Sequence, residues 1–405
     1  MMSVQHPWFK NVLHTEQHDL MKSDQPGFVF AASSGVISTR KIIKQLDLIQ
    51  TEQSDYAQHM QAWVQQCITE LAAHKNSNAV LVGGFPFNHD ERPELLLAEA
   101  SNTCLMPRQD DRRHLALFGQ TIAASLLPSS EDYKHGVEAI LNQIQTSTLK
   151  KAVLARAIEL RPAQAVNVAQ LFNNLLQDNS DGYTFALASN PAQQGWFVGA
   201  SPELLVAKQN EQVFSHPVAG TLARHPDYHE DQKRAQQLLA SVKDHQEHAM
   251  VIEAIADQLA PYCHQLQIPK QPSLIKTKTL WHLATPIHGL LKTADTHVLE
   301  LVELLHPTPA VCGQPPQLAR DLISSLEPFQ RNLFTGAMGW SDAQGNGVWS
   351  VTIRCARVMN DLIRLYAGAG IVAASKPEAE LAETAAKFRT MLDALGIEPE
   401  QLVYQ

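Results

Sequence analysis

Cysteine is scarce in this chain: five in 405 residues, at Cys67, Cys104, Cys263, Cys312 and Cys355. An odd, scattered set implies no disulfide framework and suits reduced thiols in a cytoplasm. No apolar run approaches the roughly 18 residues needed to cross a bilayer. The Met1–Lys22 segment is polar and rich in His and Gln, so it does not read as a signal peptide. Basic residues are outnumbered, 32 Lys and Arg against 41 Asp and Glu, for a net charge of -9. No basic patch is interleaved with aromatics, which argues against a nucleic-acid surface. Linkers, charge runs, low-complexity stretches and short repeats are also missing. The simplest organisation is therefore one domain over residues 1–405, although that is long for a single unit.

What is present reads as α+β. Helical spacing covers 56–74 and 131–149, while 152–160, 183–188, 196–199, 204–207 and 212–215 alternate as strands. A long helical pattern runs between Pro226 and Pro261. A meander follows, with strands over 334–340, 348–358 and 362–367 and a Gly345-Asn346-Gly347 turn. Antiparallel hairpins beside long helices predict sheets backed by helices.

The chemistry concentrates near the carboxyl end. Leu381, Ala385, Phe388, Leu392 and Leu395 form an apolar stripe, so Glu380, Glu383 and Lys387 share the opposite face. Ser375 and Glu378 have capping-box spacing, with Pro377 in the first turn. In the upstream pattern the stripe Leu238, Val242, Ala249, Ile252, Ala256 and Leu259 leaves Asp244 and Glu247 opposite it. Either helix alone is explained by a solvated face, where a Glu383–Lys387 pair contributes about 0.2–0.5 kcal/mol. Two acidic pairs facing each other across a cleft would instead offer oxygens to a hard cation, for which magnesium is the natural choice. Zinc fits poorly: the His-Glu-x-x-His order is absent and no cysteine lies nearby. Gly368, Gly370 and Ala373 satisfy Gly-x-Gly-x-x-Ala, but too little chain follows for a second βαβ half, and the helix begins after Ser375. The two glycines still permit close approach of backbone N–H groups to an anion.

The segments Lys151-Ala-Val-Leu-Ala-Arg156, Gly199-Ala-Ser-Pro-Glu203, Pro217-Val-Ala-Gly-Thr221, Lys243-Asp-His-Gln-Glu-His248, Leu280-Trp-His-Leu283, His306-Pro-Thr-Pro-Ala-Val-Cys-Gly313, Val351-Thr-Ile-Arg354 and Gly368-Ala-Gly-Ile-Val372 occur in family order. Together they resemble the chorismate-utilising enzymes, over roughly residues 100 to 395. Residues 101–395 are then the motif-bearing core and 1–100 a divergent amino-terminal part. The resemblance implies the anthranilate synthase component I and aminodeoxychorismate synthase type of fold, with antiparallel sheets packed as a sandwich and flanked by helices. The nearest likeness is to isochorismate synthases that supply 2,3-dihydroxybenzoate for catechol siderophores. Menaquinone-directed isochorismate synthases perform the same chemistry and stay open as an alternative.

Branch and roles follow from the resemblance. Lys151 stands where water-using members carry a lysine. Ala219 replaces the nucleophilic lysine of aminodeoxychorismate synthases. Ala310 replaces the threonine of salicylate synthases, which go on to eliminate pyruvate; a salicylate synthase is the nearest rival. Lys151 is the implied base and Glu203 the general acid. A free lysine, with a pKa of about 10.4, is protonated at pH 7, so the role demands surroundings that favour the neutral amine. Glu203 must in turn hold its proton near neutrality. Glu247 and Glu383 are the implied Mg²⁺ ligands, with Asp244 and Glu380 behind them. Arg354 and Lys387 would hold the substrate carboxylates. Gly220, Thr221, Gly368 and Gly370 would donate hydrogen bonds, His282 would lie near the reacting hydroxyl, and Ala310, Phe334 and Ile353 would wall the pocket. Neither nucleic acid, membrane nor a glutaminase subunit is expected as a partner, and the chain is expected to be a monomer.

Overall fold

The segment Lys151–Arg161 is buried at almost every position, which requires cover on both faces of the strand. It receives that cover from a second sheet on one side and helices on the other. The computed structural model describes residues 27–33, 35–47, 56–74, 78–88, 91–103, 122–189 and 195–404. Cys104 and the Met1–Lys22 segment lie outside them. Lys151–Arg161 pairs antiparallel with Ile363–Ile371 on one edge and Ile122–Leu127 on the other. From Ile363–Ile371 the ladder continues through Cys355–Val358, Trp196–Ser201 and Tyr183–Ala188 to Phe28–Ala32. There the chain turns a corner into Gly35–Leu46, and the second half of the ladder passes through Glu94–Thr103, Ala79–Phe85, Ala337–Asp342, Gly347–Val351 and Leu204–Gln209. Gln212–His216, Ile287–Leu291 and Cys263–Gln267 complete it.

These two halves pack as the expected sandwich. Phe28, Phe185, Phe197 and Tyr366 of the first half interleave with Val82, Ala207, Met338 and Val348 of the second. The helices are α1 (Tyr56–Ala73), α2 (Ser130–Thr146), α3 (Val168–Asp178), α4 (Tyr228–Ala240), α5 (Val242–Leu259), α6 (Val298–Leu305), α7 (Pro316–Leu326) and α8 (Pro377–Leu395). Helices α1, α5 and α6 cover the outer face of one half; α3 and α8 cover the other. Helices α2 and α7 close the end that carries Lys151. A small sheet of Val218–Ala223, Leu280–Ala284 and Ser273–Lys276 stands apart. Among the described residues no helix is long and apolar enough to cross a membrane.

Several sequence expectations need correction. The pattern between Pro226 and Pro261 is two helices, broken at Ser241, whose backbone is extended and whose Oγ accepts from Asp244 N to cap α5. The buried stripe of α5 is Glu247, Val251, Ile255 and Leu259; Val242 and Ala249 are exposed. Glu247 therefore lies on the buried side of α5 and not opposite its apolar stripe. Helix α8 repeats this: Glu380 is fully buried and Ala385 exposed. The Ser375–Glu378 capping box does not form. Ser375 Oγ instead accepts from Val372 N, and Lys376 occupies the cap position with no side-chain bond. Residues 348–358 are two strands, interrupted where Arg354 adopts φ 53°. Phe334 precedes its strand, which starts at Ala337. The strand expected over 362–367 runs on through Gly368 and Gly370 to Ile371.

Candidate active site

One cleft, about 570 Å³ of empty space including its open mouth, gathers most of the candidate residues. Strand 363–371 supplies its floor. Alternation puts Tyr366, Gly368 and Gly370 on one face, and the bare glycines leave room for what lies above. A Cβ on Gly370 would fall 2.1 Å from Glu247 Oε1 and 2.9 Å from Lys151 Cε, so both side chains rest directly on that backbone. Gly220 enters from the small sheet with φ +79°, beside a register shift between Ala219 and Thr221. A Cβ there would lie 3.0 Å from that of Asp244.

The two acidic helices meet across this cleft. Lys243 on α5 reaches Glu380 on α8 at 2.6 Å, tying the helices together. Lys151 Nζ lies 2.9 Å from Glu247 Oε1, and Lys387 lies 2.6 Å from Glu383 Oε1 while donating to Gly368 O at 2.7 Å. Asp244 accepts a short hydrogen bond from Ser241 Oγ. Each acid therefore has an internal partner.

Electrostatics separate the carboxyls. Burial pushes Glu203 up to about 7, more than the backbone N–H of Val218 and the cations Lys151, Arg354 and Lys387 pull it down. Burial works the same way on Glu247, but Lys151, Lys243 and Lys387 outweigh it and leave that carboxyl below its ordinary value. Glu380 is raised by burial and by Glu383, and Asp244 by burial against its Ser241 bond. Burial lowers Arg354 to about 10 against the pull of Glu383 and Glu203, so it remains a cation at neutral pH. His282 is pushed well below the usual range by burial, then by Arg354 and Lys387; it is a neutral imidazole whose Nδ1 shares a 3.0 Å hydrogen bond with Thr221 Oγ1.

Glu203, Gly220, Thr221, Glu247, His282, Ala310, Phe334, Ile353, Arg354, Gly368, Gly370, Glu383 and Lys387 all line the cleft. Lys151 lies beneath it, behind Glu247, and Asp244 and Glu380 stand behind the lining. Sequence reasoning missed Thr335 and Tyr366. Tyr366 stacks on Phe334 with ring centroids 4.9 Å apart, and its period-two relation to Gly368 and Gly370 was the available signal. Thr335, at φ 59°, had none.

Among the described residues no three His, Cys, Asp or Glu side chains are already gathered as a metal cage. The donor set nonetheless fits Mg²⁺, which takes one or two carboxylates and otherwise keeps water or substrate oxygens. Glu247 and Glu383 supply such oxygens in one cleft, and Glu380 Oε2 behind them is buried without a hydrogen-bond partner.

Residues 96–396 match the family model described as chorismate binding enzyme. The chain is 41% identical to isochorismate synthase DhbC of Bacillus subtilis, over 96% of this chain and 98% of that protein. A crystal structure described as a putative 2,3-dihydroxybenzoate-specific isochorismate synthase, DhbC, from Bacillus anthracis superposes with a TM-score of 0.86 at 39% identity, covering 94% of this chain and 99% of that one. Anthranilate synthase component I from Streptococcus pneumoniae shares the fold, with a TM-score of 0.70 at 17% identity and coverage of 94% of each chain. The chain belongs to the chorismate-binding enzymes. Within them it is similar to isochorismate synthases, including one described as 2,3-dihydroxybenzoate-specific.

Proposed function

We propose that this enzyme converts chorismate reversibly to isochorismate, feeding 2,3-dihydroxybenzoate siderophore synthesis. Similarity to the DhbC proteins supports the reaction and the pathway. The observation that carries the chemistry is Glu203: a buried carboxyl that holds its proton near neutral pH, in the same cleft as Arg354, Lys387 and the Lys151–Glu247 pair.

In this reading water adds at C2, the ring double bonds shift, and the C4 hydroxyl departs. Glu203 gives its proton to the leaving hydroxyl, which goes as water. Lys151, buried and next to the floor at Gly370, takes the proton of the attacking water; it must first leave its pairing with Glu247. One water enters and one leaves, so composition is unchanged. Arg354 and Lys387 bind the two substrate carboxylates, and Arg354 offers the planar fork that such a group prefers. His282, neutral and oriented by Thr221, hydrogen-bonds a ring hydroxyl without adding charge. Phe334 and Ile353 close the apolar side of the ring, and Ala310 leaves that side without a hydroxyl.

Glu247 and Glu383 would hold Mg²⁺, with Asp244 and Glu380 behind them. When bound, the ion supplies positive charge to the ring carboxylate, drawing electron density from the conjugated diene. Ala219 presents no amine, so no covalent adduct is called for, and with water as the nucleophile no glutaminase partner is needed.

Incubating purified protein with chorismate and Mg²⁺, with and without chelator, and separating the products tests this reading. Isochorismate should accumulate only with the metal. Pyruvate released in step with chorismate loss would sink it in favour of a salicylate synthase.

A further inference from the structure

Arg331 is a cation that no part of the proposed chemistry uses. It is 2% exposed, in the segment that leads from α7 to the strand at Ala337, and it does not line the cleft. A guanidinium buried to that extent is costly unless every donor is satisfied. Here all are. Nε and one Nη2 bond go to the Glu327 carboxylate; Nη1 donates to Val311 O at 2.9 Å and Thr335 Oγ1 at 3.2 Å; Nη2 also donates to Val153 O at 2.7 Å. These account for the five N–H donors that arginine possesses. Its Cζ lies 4.3 Å from the Phe87 ring centroid and 5.7 Å from that of Phe334. Glu327 is fixed in turn by Ala155 N, 2.8 Å from its Oε1.

The recipients are what make this more than a buried ion pair. Val153, Val311, Thr335 and Phe334 belong to three separate stretches of chain, and all four line the cleft. No strand pairing joins the 308–312 loop to Thr335; the shared guanidinium does. Thr335 is also held at φ 59°, a conformation rarely adopted by a β-branched residue and kept only when its surroundings impose it.

We propose that Arg331 is a positioning residue, which sets the shape of the chorismate pocket by holding its apolar wall from behind while touching no substrate. The inference rests on the proposed substrate but not on the proposed reaction. Lysine cannot replace it, having three donors and no plane. Glu327 should serve a different end: it neutralises the guanidinium, and the three wall bonds do not depend on it directly.

This separates two variants. Both Arg331→Lys and Glu327→Gln should lower Tm, since both disturb a buried ion pair. Only Arg331→Lys should change recognition. In Mg²⁺-containing buffer its Kd for chorismate and its KM should rise at least about tenfold, whereas Glu327→Gln should keep both within about twofold of the parent. A purely structural role would reduce the active fraction, and hence apparent kcat, at unchanged KM and Kd. Kd within twofold for Arg331→Lys, or an equal rise in both variants, overturns the proposal. If Arg331→Lys does not fold, the double variant Arg331→Met/Glu327→Leu removes both charges at similar volume, a change often tolerated in cores. It should show the same weakened binding, and unchanged binding would refute the idea. Because Kd is read on the resting enzyme, a parent protein that binds chorismate but forms no isochorismate would sink the reaction while leaving this test intact.

Discussion

Gly370→Ala adds one methyl group to the floor of the cleft, and the structure says where it goes. The new Cβ would lie 2.1 Å from Glu247 Oε1, 2.9 Å from Glu247 Cδ and 2.9 Å from Lys151 Cε. Non-bonded heavy atoms settle at about 3.5 Å, so the carboxylate must withdraw by more than about 1 Å. Glu247 has the freedom to do so, being the end of a flexible side chain, but withdrawal takes it off Lys151 and out of its place beside the glycine strand. A misplacement of about 1 Å in a reacting constellation costs about 100-fold, or about 2.7 kcal/mol of barrier at 25 °C. The fold should tolerate the change. Gly370 is not among the glycines with left-handed φ, and alanine in a strand loses less backbone entropy, a gain of about 0.5–1 kcal/mol that offsets part of the strained pair. We therefore expect kcat/KM to fall about 100-fold while Tm moves by only about 5 °C. Gly368→Ala is the internal control: its Cβ would meet the Val153 Cγ1 methyl at 3.2 Å, with Leu154 O and Ala155 Cβ at 3.4 and 3.5 Å, and activity should fall less than about tenfold. Steady-state kinetics beside thermal melts decides it. If Gly370→Ala keeps kcat/KM within threefold, or if both variants fall equally, Glu247 is not held where the mechanism needs it.

Glu203→Gln should reduce kcat by about 10²–10⁴, the span of a lost general acid. The parent rate should also decline as pH rises through about 7, where Glu203 loses its proton. The same group makes a signed stability prediction. Its folded pKa, about 7, lies above the ordinary 4.5, so its contribution is complete below pH 4.5 and lost as pH climbs towards 7. Across that window the parent should lose about 3 kcal/mol relative to Glu203→Gln, measured by denaturant melts at several pH values. Mg²⁺ should raise the Tm of the parent and not that of Glu247→Gln or Glu383→Gln. Glu247→Gln should in addition destabilise the metal-free protein by about 3–5 kcal/mol, because it strands the fully buried Lys151; Glu383→Gln, whose partner is more exposed, should cost about 1 kcal/mol or less.

The strands from Tyr183 to His216 were legible because they are short, apolar and separated by clear breaks. The break at Ser241 was not: Ser241, Asp244 and the flanking residues continue a helical pattern, and only the side-chain cap distinguishes two helices from one. The polar faces misled for a deeper reason. Apolar periodicity identifies the core side of a helix when charges are outside, but Glu247 and Glu380 are buried, so the moment of the sequence pointed about one residue away from the real interior. That failure is what a functional site produces. The ordered motifs located the cleft where periodicity could not, and Arg331 went unremarked because a single arginine in a connecting segment carries no pattern.

The arrangement of charges explains how several acids can stand together here. Glu247 and Glu383 line one cleft with Glu380 behind them, and burial acts to raise the carboxyls of Glu247 and Glu380. Lys151, Lys387 and Lys243 each take one, at 2.9, 2.6 and 2.6 Å. Two of those lysines are the proposed base and a proposed carboxylate ligand, so in the proposed mechanism the groups that neutralise the acids are the ones that an ion on those acids would release. Lys243 has no such second role, and it ties α5 to α8 through Glu380. Lys243→Met should therefore loosen the two helices and weaken Mg²⁺ binding, even though it removes a positive charge from the neighbourhood of the cation. Simple charge counting predicts the reverse. Calorimetric titration of the two proteins with MgCl₂ distinguishes the accounts: tighter binding by the variant would show that Lys243 only competes with the metal and does not hold its acids in place.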